Sequence, residues 1–294
     1  MNRKILILGG DLRQFTVASE FKKDGFDVSV YGFNKNTPLI PFYIYNNLKD
    51  AINDNDIIIL GIPVSRDNVY LNAPYSKEDI KISEIAEHLD SSKIVFGGII
   101  YKELESKLKE KDILSFDYGT REELNIENVI PTVEGALSIA INETPFTLHG
   151  AKVLVTGFGR IGKILAKSLS SLGADVTVSA RKIEDLSWID CYAFSKIQTK
   201  NIHENINKFD IIFNTIPFTV IDEECLKRVK KNAVIIDLAS NPGGVDFKYA
   251  HLLDLKVIRA LSLPGKIAPE TAGKIIKNTI NNILSELGVK IWGI

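Results

Sequence analysis

The sequence predicts an α/β protein built from two Rossmann-like, doubly wound parallel-sheet domains separated by a cleft, and three observations carry that prediction. Short runs rich in Ile and Val alternate with stretches of helical apolar spacing along most of the chain, the pattern of repeated βα units whose strands are covered on both faces. The alternation starts twice with an apolar run, a glycine turn and a helix: Ile7-Leu8-Gly9-Gly10-Asp11 and Val155-Thr156-Gly157-Phe158-Gly159. A length of 294 residues exceeds one ordinary core and suits two.

Taken in order, strands are expected at 4–8, 27–31, 56–60, 93–96 and 113–117 in the first half, and at 152–156, 175–179, 210–214, 233–237 and 256–260 in the second. The N-terminal apolar run meets Gly9-Gly10-Asp11 at once, which makes it too short for a secretion signal or a membrane span and right for a buried first strand. Between the halves, Val133, Ala136, Leu137, Ala140 and Ile141 recur at helical spacing and form one buried stripe. That helix should end before Thr144-Pro145, because proline disfavours a helical conformation in the residue ahead of it. The domains are therefore set at 1–143 and 144–268. A last helix begins near Pro269, with Ile276, Ile280, Ile283, Leu284 and Leu287 on one face. By analogy with two-domain proteins of this architecture, the segment 269–294 crosses back onto the first domain.

Composition excludes several classes. Thirty-six basic residues against 37 acidic ones leave a net charge of −1, so no global field draws nucleic acid or an anionic membrane. Cys191 and Cys225 lack CxxC spacing and are expected to be reduced packing residues of a cytoplasmic protein. His88, His149, His203 and His251 show no metal-ligand spacing, and no metal is expected.

Gly157-Phe158-Gly159-Arg160-Ile161-Gly162 matches G-x-G-x-x-G, and its setting gives the match weight: a strand at 152–156 precedes it, and Ile161, Leu165, Leu169 and Leu172 give the following helix a buried face. In that setting Gly157 permits the tight turn, Gly159 lets the backbone approach a pyrophosphate, and Gly162 lets helix and strand pack closely. The helix N-terminus then offers amides and a positive dipole end to phosphate. About 20 residues on, where an NAD site carries Asp or Glu, the strand instead ends Ser179-Ala180-Arg181-Lys182. Ser179 can donate to a 2′-phosphate and Arg181 can pair with it, so NADP(H) is the expected cofactor. Asn214-Thr215-Ile216-Pro217 leaves a strand end and is placed near the nicotinamide riboside, as are Ala239 and Ser240 in the glycine-rich stretch 237–244.

Taken together, these stretches resemble the A-subunit family of bacterial dipicolinate synthase, the sporulation enzyme that makes pyridine-2,6-dicarboxylate. The likeness rests on Gly9-Gly10-Asp11-Leu12-Arg13-Gln14, Pro63-Val64-Ser65, Ile130-Pro131-Thr132-Val133-Glu134-Gly135, His149-Gly150, the 157–162 and 214–217 turns, the stretch 237–250, and Leu263-Pro264-Gly265-Lys266-Ile267-Ala268-Pro269-Glu270-Thr271-Ala272-Gly273. It spans nearly the whole chain, and the order and spacing of the motifs are more specific than any one of them. The resemblance implies NADP-dependent oxidation of a dihydrodipicolinate-level intermediate, partnership with a smaller flavoprotein-like B subunit, and a place in the mother-cell cytoplasm of a sporulating bacterium. Homo-oligomer formation stays open. The sequence departs from this family at Asn241, where relatives carry arginine, which removes a charge from that position.

A small cyclic dicarboxylate needs cationic or N–H partners for both carboxylates and a proton acceptor. Arg13 is the first choice for a carboxylate, the alternative being an ion pair with Asp11 or a surface acid; Ser65 is the second, the alternative being a helix cap. Glu134 is the candidate proton acceptor, with helix capping as its other reading. Lys266 binds a carboxylate or spans the domains, the alternative being that it is solvated, and His149 at the hinge is a weaker candidate for proton transfer. Two rival readings remain: an NADP-dependent 2-hydroxy-acid or amino-acid dehydrogenase, and a non-catalytic NADP(H)-binding scaffold for a flavoprotein partner.

Overall fold

Parallel strands buried on both faces organise the computed structural model, which describes residues 3–33 and 42–288. In chain order the first elements are β1 (Lys4–Leu8), α1 (Leu12–Lys23), β2 (Asp27–Tyr31), β3 (Tyr43–Ile44), α2 (Leu48–Asn53), β4 (Ile57–Leu60), α3 (Ile82–His88), β5 (Ile94–Gly97), α4 (Lys102–Glu110), β6 (Leu114–Asp117) and α5 (Glu122–Glu127). They continue as α6 (Val129–Glu143), β7 (Lys152–Thr156), α7 (Arg160–Ser171), β8 (Asp175–Ala180), α8 (Ile183–Cys191), β9 (Ser195–Gln198), α9 (Ile202–Asn205), β10 (Ile211–Asn214), α10 (Glu223–Leu226), β11 (Val234–Asp237), α11 (Phe247–Leu252), β12 (Lys256–Arg259), α12 (Leu263–Ile267) and α13 (Pro269–Glu286).

Two compact units result: Met1–Asn128 with Ala268–Ile294, and Val129–Ile267. The first holds a six-stranded sheet in the order β3-β2-β1-β4-β5-β6, the second a six-stranded sheet in the order β12-β11-β10-β7-β8-β9. In each, the first strand sits centrally and the strand order reverses beside it, between β1 and β4 and between β7 and β10. That reversal is the topological switch point at which open α/β sheets hold ligands.

Alternation along the central strands explains the two-sided burial. Ile5 and Ile7 join the core under α1 and α13, whereas Leu6 and Leu8 face the core built from α2, α3 and α4. Val153 and Val155 meet α6 and α7, whereas Leu154 faces the opposite layer with Ile202, Ile206 and Ile221.

The ten expected strands are present within a residue or two at each end, while β3 and β9 were not foreseen. Both lie at sheet edges, with two exposed residues in β3 and the sequence Ser-Lys-Ile-Gln in β9, so neither carries an apolar run. The expected boundary at 143/144 moves to 128/129, because α6 packs on α7 and α12 through Val133, Ala136 and Ala140 and so belongs to the second unit. Ile141, expected in the buried stripe, is 58% exposed. Helix α13 packs on α1 in the first unit through Ile275, Ile276, Ile280, Ile283 and Leu284; Leu287 is exposed, and 289–294 lie outside the described residues. Among the described residues no helix is long and apolar enough to cross a membrane.

Candidate functional site

The turn after β7 is where the glycines of the second unit act. Gly157 takes φ +92°, the left-handed region, and a Cβ there would lie 2.6 Å from Thr215 Oγ1. At Gly162 a Cβ would stand 2.1 Å from the Gly157 carbonyl oxygen, which measures how tightly α7 is drawn against the turn. Around Gly159 a Cβ would meet no atom within 4 Å. This glycine is the N-cap of α7, and no side chain caps the helix. The protein therefore leaves open space in front of a positive helix end, the arrangement that receives a phosphate.

The corresponding turn of the first unit is closed. Gly9 and Gly10 also have positive φ, but Asp11 and Gln14 form a reciprocal capping box at the head of α1. Arg13 holds the Asp11 carboxylate through Nε (2.8 Å) and Nη2 (2.7 Å), and Nη2 also donates to the Ile62 carbonyl at 2.5 Å. An aspartate thus occupies the place of a bound anion, and most of the Arg13 fork expected to take a carboxylate serves this internal pair.

Beside the open turn lies a pocket of about 330 Å³. Phe158, Ala180, Ile216, Pro217, Phe218 and Val220 supply its apolar walls, and Arg181, Lys182, Asp185 and Thr199 its polar groups. Arg181 and Lys182 are exposed and lie just after β8. Ser179, expected beside them, is fully buried within β8 and does not line the pocket; its main-chain carbonyl accepts from Gly157 N at 2.9 Å. Sequence reasoning missed Ala180, Lys182, Asp185, Thr199, Phe218 and Val220. Lys182 and Asp185 were within reach as the neighbour of Arg181 and the residue one turn further on, whereas Thr199 follows the unforeseen β9.

Thr156, Asn214 and Asp237 end three adjacent strands and form a fully buried polar chain. Thr156 Oγ1 donates to Asn214 Oδ1 (2.5 Å), and Asn214 Nδ2 donates to Asp237 Oδ1 (2.7 Å) and to the Ile216 carbonyl (2.9 Å). Asp237 then accepts from Ala239 N (3.2 Å) and Gly244 N (3.1 Å), which shapes the loop carrying Ala239 and Ser240. Thr215 Oγ1 donates to the Thr156 carbonyl at 2.7 Å. Asn241 accepts from Arg259 Nη2, so an arginine of the chain itself stands next to the position that lacks one.

The remaining candidates are dispersed. Ser65 Oγ donates to the Tyr70 carbonyl at 2.6 Å and accepts from Asn68 N at 2.9 Å, so its hydroxyl is consumed within its own turn. Glu134 is exposed in the second turn of α6, belongs to the second unit and caps nothing, since the helix begins five residues earlier. Lys266 is exposed on α12, the helix that packs on α6 where a Cβ on Gly135 would lie 3.0 Å from Ile267 Cγ1. The structure thus puts Glu134 and Lys266 on neighbouring helices of one unit and Arg13 and Ser65 in the other. His149 lies against Gly173 near the starts of β7 and β8, the opposite sheet end from Gly157. Cys225 is buried, but Cys191, expected to be a packing residue, is exposed. Among the described residues no three His, Cys, Asp or Glu side chains gather as a metal-holding group.

Comparison with known proteins agrees with this division. Residues 4–118 match the family model for the N-terminal domain of the dipicolinate synthase A subunit, and residues 136–246 match "D-isomer specific 2-hydroxyacid dehydrogenase, NAD binding domain". The chain is 33% identical over 291 residues to the dipicolinate synthase A subunit of Bacillus subtilis strain 168, covering 97% of this chain and 96% of that one. Among solved structures, the dipicolinate synthase A subunit of Bacillus halodurans superposes with a TM-score of 0.88 at 30% identity, covering 96% and 98% of the two chains. Its counterpart from Bacillus subtilis gives 0.86 at 31% identity, covering 99% and 98%.

Proposed function

The chain belongs to the A-subunit family of dipicolinate synthase, and from that premise we propose that it oxidises a dihydrodipicolinate-level intermediate to dipicolinate with NADP, alongside a smaller flavoprotein-like B subunit, in the mother cell of a sporulating bacterium. Its dehydrogenase-type fold and nicotinamide-nucleotide domain supply the coarse part of that reading. The observation that carries the finer part is the contrast between the two glycine turns: one is sealed by Asp11 and Arg13, the other is uncapped and opens beside two cationic side chains.

On this reading the amides around Gly159 to Gly162 hold the diphosphate, and Arg181 with Lys182 faces the 2′-phosphate in place of the carboxylate an NAD site would present. The buried chain from Thr156 through Asn214 to Asp237 holds the 214–217 and 239–244 loops in the shape that receives the nicotinamide riboside. When bound, the nicotinamide supplies the hydride acceptor at its C4. The dihydropyridine ring gives up two electrons and one hydrogen in that transfer and loses a second hydrogen as a proton, and aromatisation drives the exchange. Glu134 is the proposed proton acceptor. Lys266 and Arg13 are the proposed substrate contacts, Arg13 through the Nη1 that takes no part in its bonds to Asp11 and Ile62, whereas Ser65, its hydroxyl spent within its own turn, is left out of the chemistry.

The test combines the chain with its B subunit, NADP and freshly generated dihydrodipicolinate and follows pyridine-dicarboxylate absorbance. Product above the uncatalysed background supports the reading, and its absence overturns it. Reduction of 2-oxo acids by NADPH would favour the 2-hydroxy-acid alternative. A Glu134→Gln chain that binds NADPH and turns over normally would remove Glu134 from the chemistry.

A further inference from the structure

Arg259 ends β12 at the carboxyl edge of the second sheet, the edge at which open α/β sheets bind their ligands. Its side chain is exposed yet held: Nη2 donates to Asn241 Oδ1 and to the Pro242 carbonyl (3.0 Å), and the guanidinium lies 5.4 Å from the centre of the Phe247 ring. The loop that holds it is itself fixed. Gly243 N donates to the Ser240 carbonyl (2.8 Å), and Gly244 N to the buried Asp237 carboxylate (3.1 Å). What this guanidinium lacks is a counter-ion. Asp237 stands opposite Arg259 in the β11–β12 register, but its carboxylate is taken by Asn214 Nδ2, Ala239 N and Gly244 N. Among the described residues no carboxylate pairs with Arg259, whereas Arg13, Arg121 and Arg228 each hold one. Ordering a long side chain costs rotamer freedom, and a cation already ordered receives an anion without that cost.

The strand order narrows which anion that is. In β12-β11-β10-β7-β8-β9 the glycine turn follows β7, and the pocket with Arg181 and Lys182 lies on the β8 side of it. A dinucleotide whose diphosphate sits at that turn sends its nicotinamide half the other way, over β10 and β11. Arg259 lies one strand farther out on the nicotinamide side and does not line the pocket on the β8 side. Neither the diphosphate nor the 2′-phosphate is therefore its partner, which leaves an anionic group on the molecule that meets the nicotinamide. We propose that Arg259 binds one carboxylate of the dicarboxylate substrate through Nη1, which takes no part in the bonds to Asn241 and Pro242, while those two residues and Phe247 keep the guanidinium in place. This rests on the dinucleotide and dicarboxylate reading of the chain and adds to it a specificity-determining cation internal to the second unit.

Calorimetry on the full chain saturated with NADPH measures the dissociation constants of dipicolinate and of pyridine-2-carboxylate, which lacks one carboxylate. The unaltered chain should bind dipicolinate more tightly. Arg259→Gln should weaken dipicolinate about tenfold to a hundredfold and pyridine-2-carboxylate far less, so that the two ligands converge, while the affinity for NADPH stays within about twofold. Arg259→Lys keeps the charge and should bind dipicolinate more tightly than Arg259→Gln. Melting temperature is the control: an arginine that only braced the loop would, when removed, lower stability and leave the preference between the two pyridine ligands unchanged. Unaltered dipicolinate binding in Arg259→Gln, an equal loss for both ligands, or a loss of NADPH affinity would each overturn the assignment, the last moving the arginine to the cofactor. If the unaltered chain binds no NADPH or no dipicolinate, the reading beneath the proposal falls, an outcome distinct from normal dipicolinate binding without Arg259 dependence.

Discussion

Charge at the pocket rim decides what a single side chain can do there. Arg181 and Lys182 stand beside Asp185, so two cations and one carboxylate share the space next to an apolar wall. Arg181→Ala should weaken NADPH binding about tenfold to a hundredfold, the value of a charge-assisted hydrogen bond, with little effect on NADH. Asp185→Asn should move the NADPH-to-NADH ratio the other way by removing a like charge from the phosphate, and titration calorimetry of the two variants checks both signs. Arg181 was legible because a cation replaces the carboxylate at a defined distance from the glycines. Ser179 was misread because β8 is covered on both faces, so a polar residue next to the strand end need not point outward. Arg13 was placed correctly on the turn, but its neighbour two residues back captured it. The cysteines differ in burial in a way their spacing could not show. Cys225 is buried, and burial, with Asp222 adding to it, pushes its thiol up to about 12, against about 8.5 in an unfolded chain. The folded state thus disfavours the thiolate, so the group's contribution is intact below the unfolded value and is lost as pH rises from there toward 12. Unfolding free energies from denaturant titrations between pH 8.5 and 11 should fall more steeply for the unaltered chain than for Cys225→Val, by about 1.4 kcal/mol per pH unit at most. Alkylation at neutral pH should label Cys191 and spare Cys225.

Within the β7–α7 element, glycines of one motif have opposite structural duties. Gly162 serves packing: an added Cβ would collide with the Gly157 carbonyl at 2.1 Å, and backbone cannot swing aside as a flexible side chain can. Gly159 has no such packing duty, since a Cβ there meets nothing of the protein and its backbone angles suit any residue, and on the proposed reading it serves the ligand. Gly162→Ala should therefore destabilise the fold by about 1–3 kcal/mol or more, whereas Gly159→Ala should keep the melting temperature and lose dinucleotide binding. Equal thermal stability of the two variants would contradict this division. The motif announced itself in the sequence because strand, turn and amphipathic helix follow one another without a gap. Edge strands did not: β9 is mostly polar and β3 is two residues long, and each exists because a central strand offers it a ladder, a tertiary cause that local pattern does not contain. Missing β9 also hid Thr199, since a residue's place at a strand's carboxyl end is invisible until the strand is recognised.

At the scale of the molecule, the two units are not equivalent in how the chain builds them. The second, Val129–Ile267, is one continuous segment that opens with α6, and the proline rule located where that helix ends but not which core it fills. Its stripe fits either neighbouring domain by hydrophobicity alone, and only contact with α7 and α12 decides. The first unit is discontinuous, completed by α13 from the far end of the sequence. Gly273 lets α13 come close, since a Cβ there would lie 2.5 Å from the Arg13 carbonyl oxygen, and Ile275, Ile276, Ile280, Ile283 and Leu284 enter the core over β1. Lys277 Nζ reaches Asp24 Oδ2 at 2.5 Å, and Arg121 grips Glu286 through both Nη1 and Nη2. Burying five aliphatic side chains contributes on the order of 10 kcal/mol, about the net stability of a whole domain, and the exposed ion pair adds little. Separately produced fragments should behave accordingly. The segment 129–267 should give a cooperative thermal transition and retain NADPH binding, because its sheet, its glycine turn and its pocket are all internal to it. The segment 1–128 should show no cooperative transition until a peptide spanning 268–288 is added, which should restore one in a concentration-dependent way. A cooperative transition of 1–128 alone would mean that the core over β1 closes without α13, and that those five residues carry less of the stability than their burial implies.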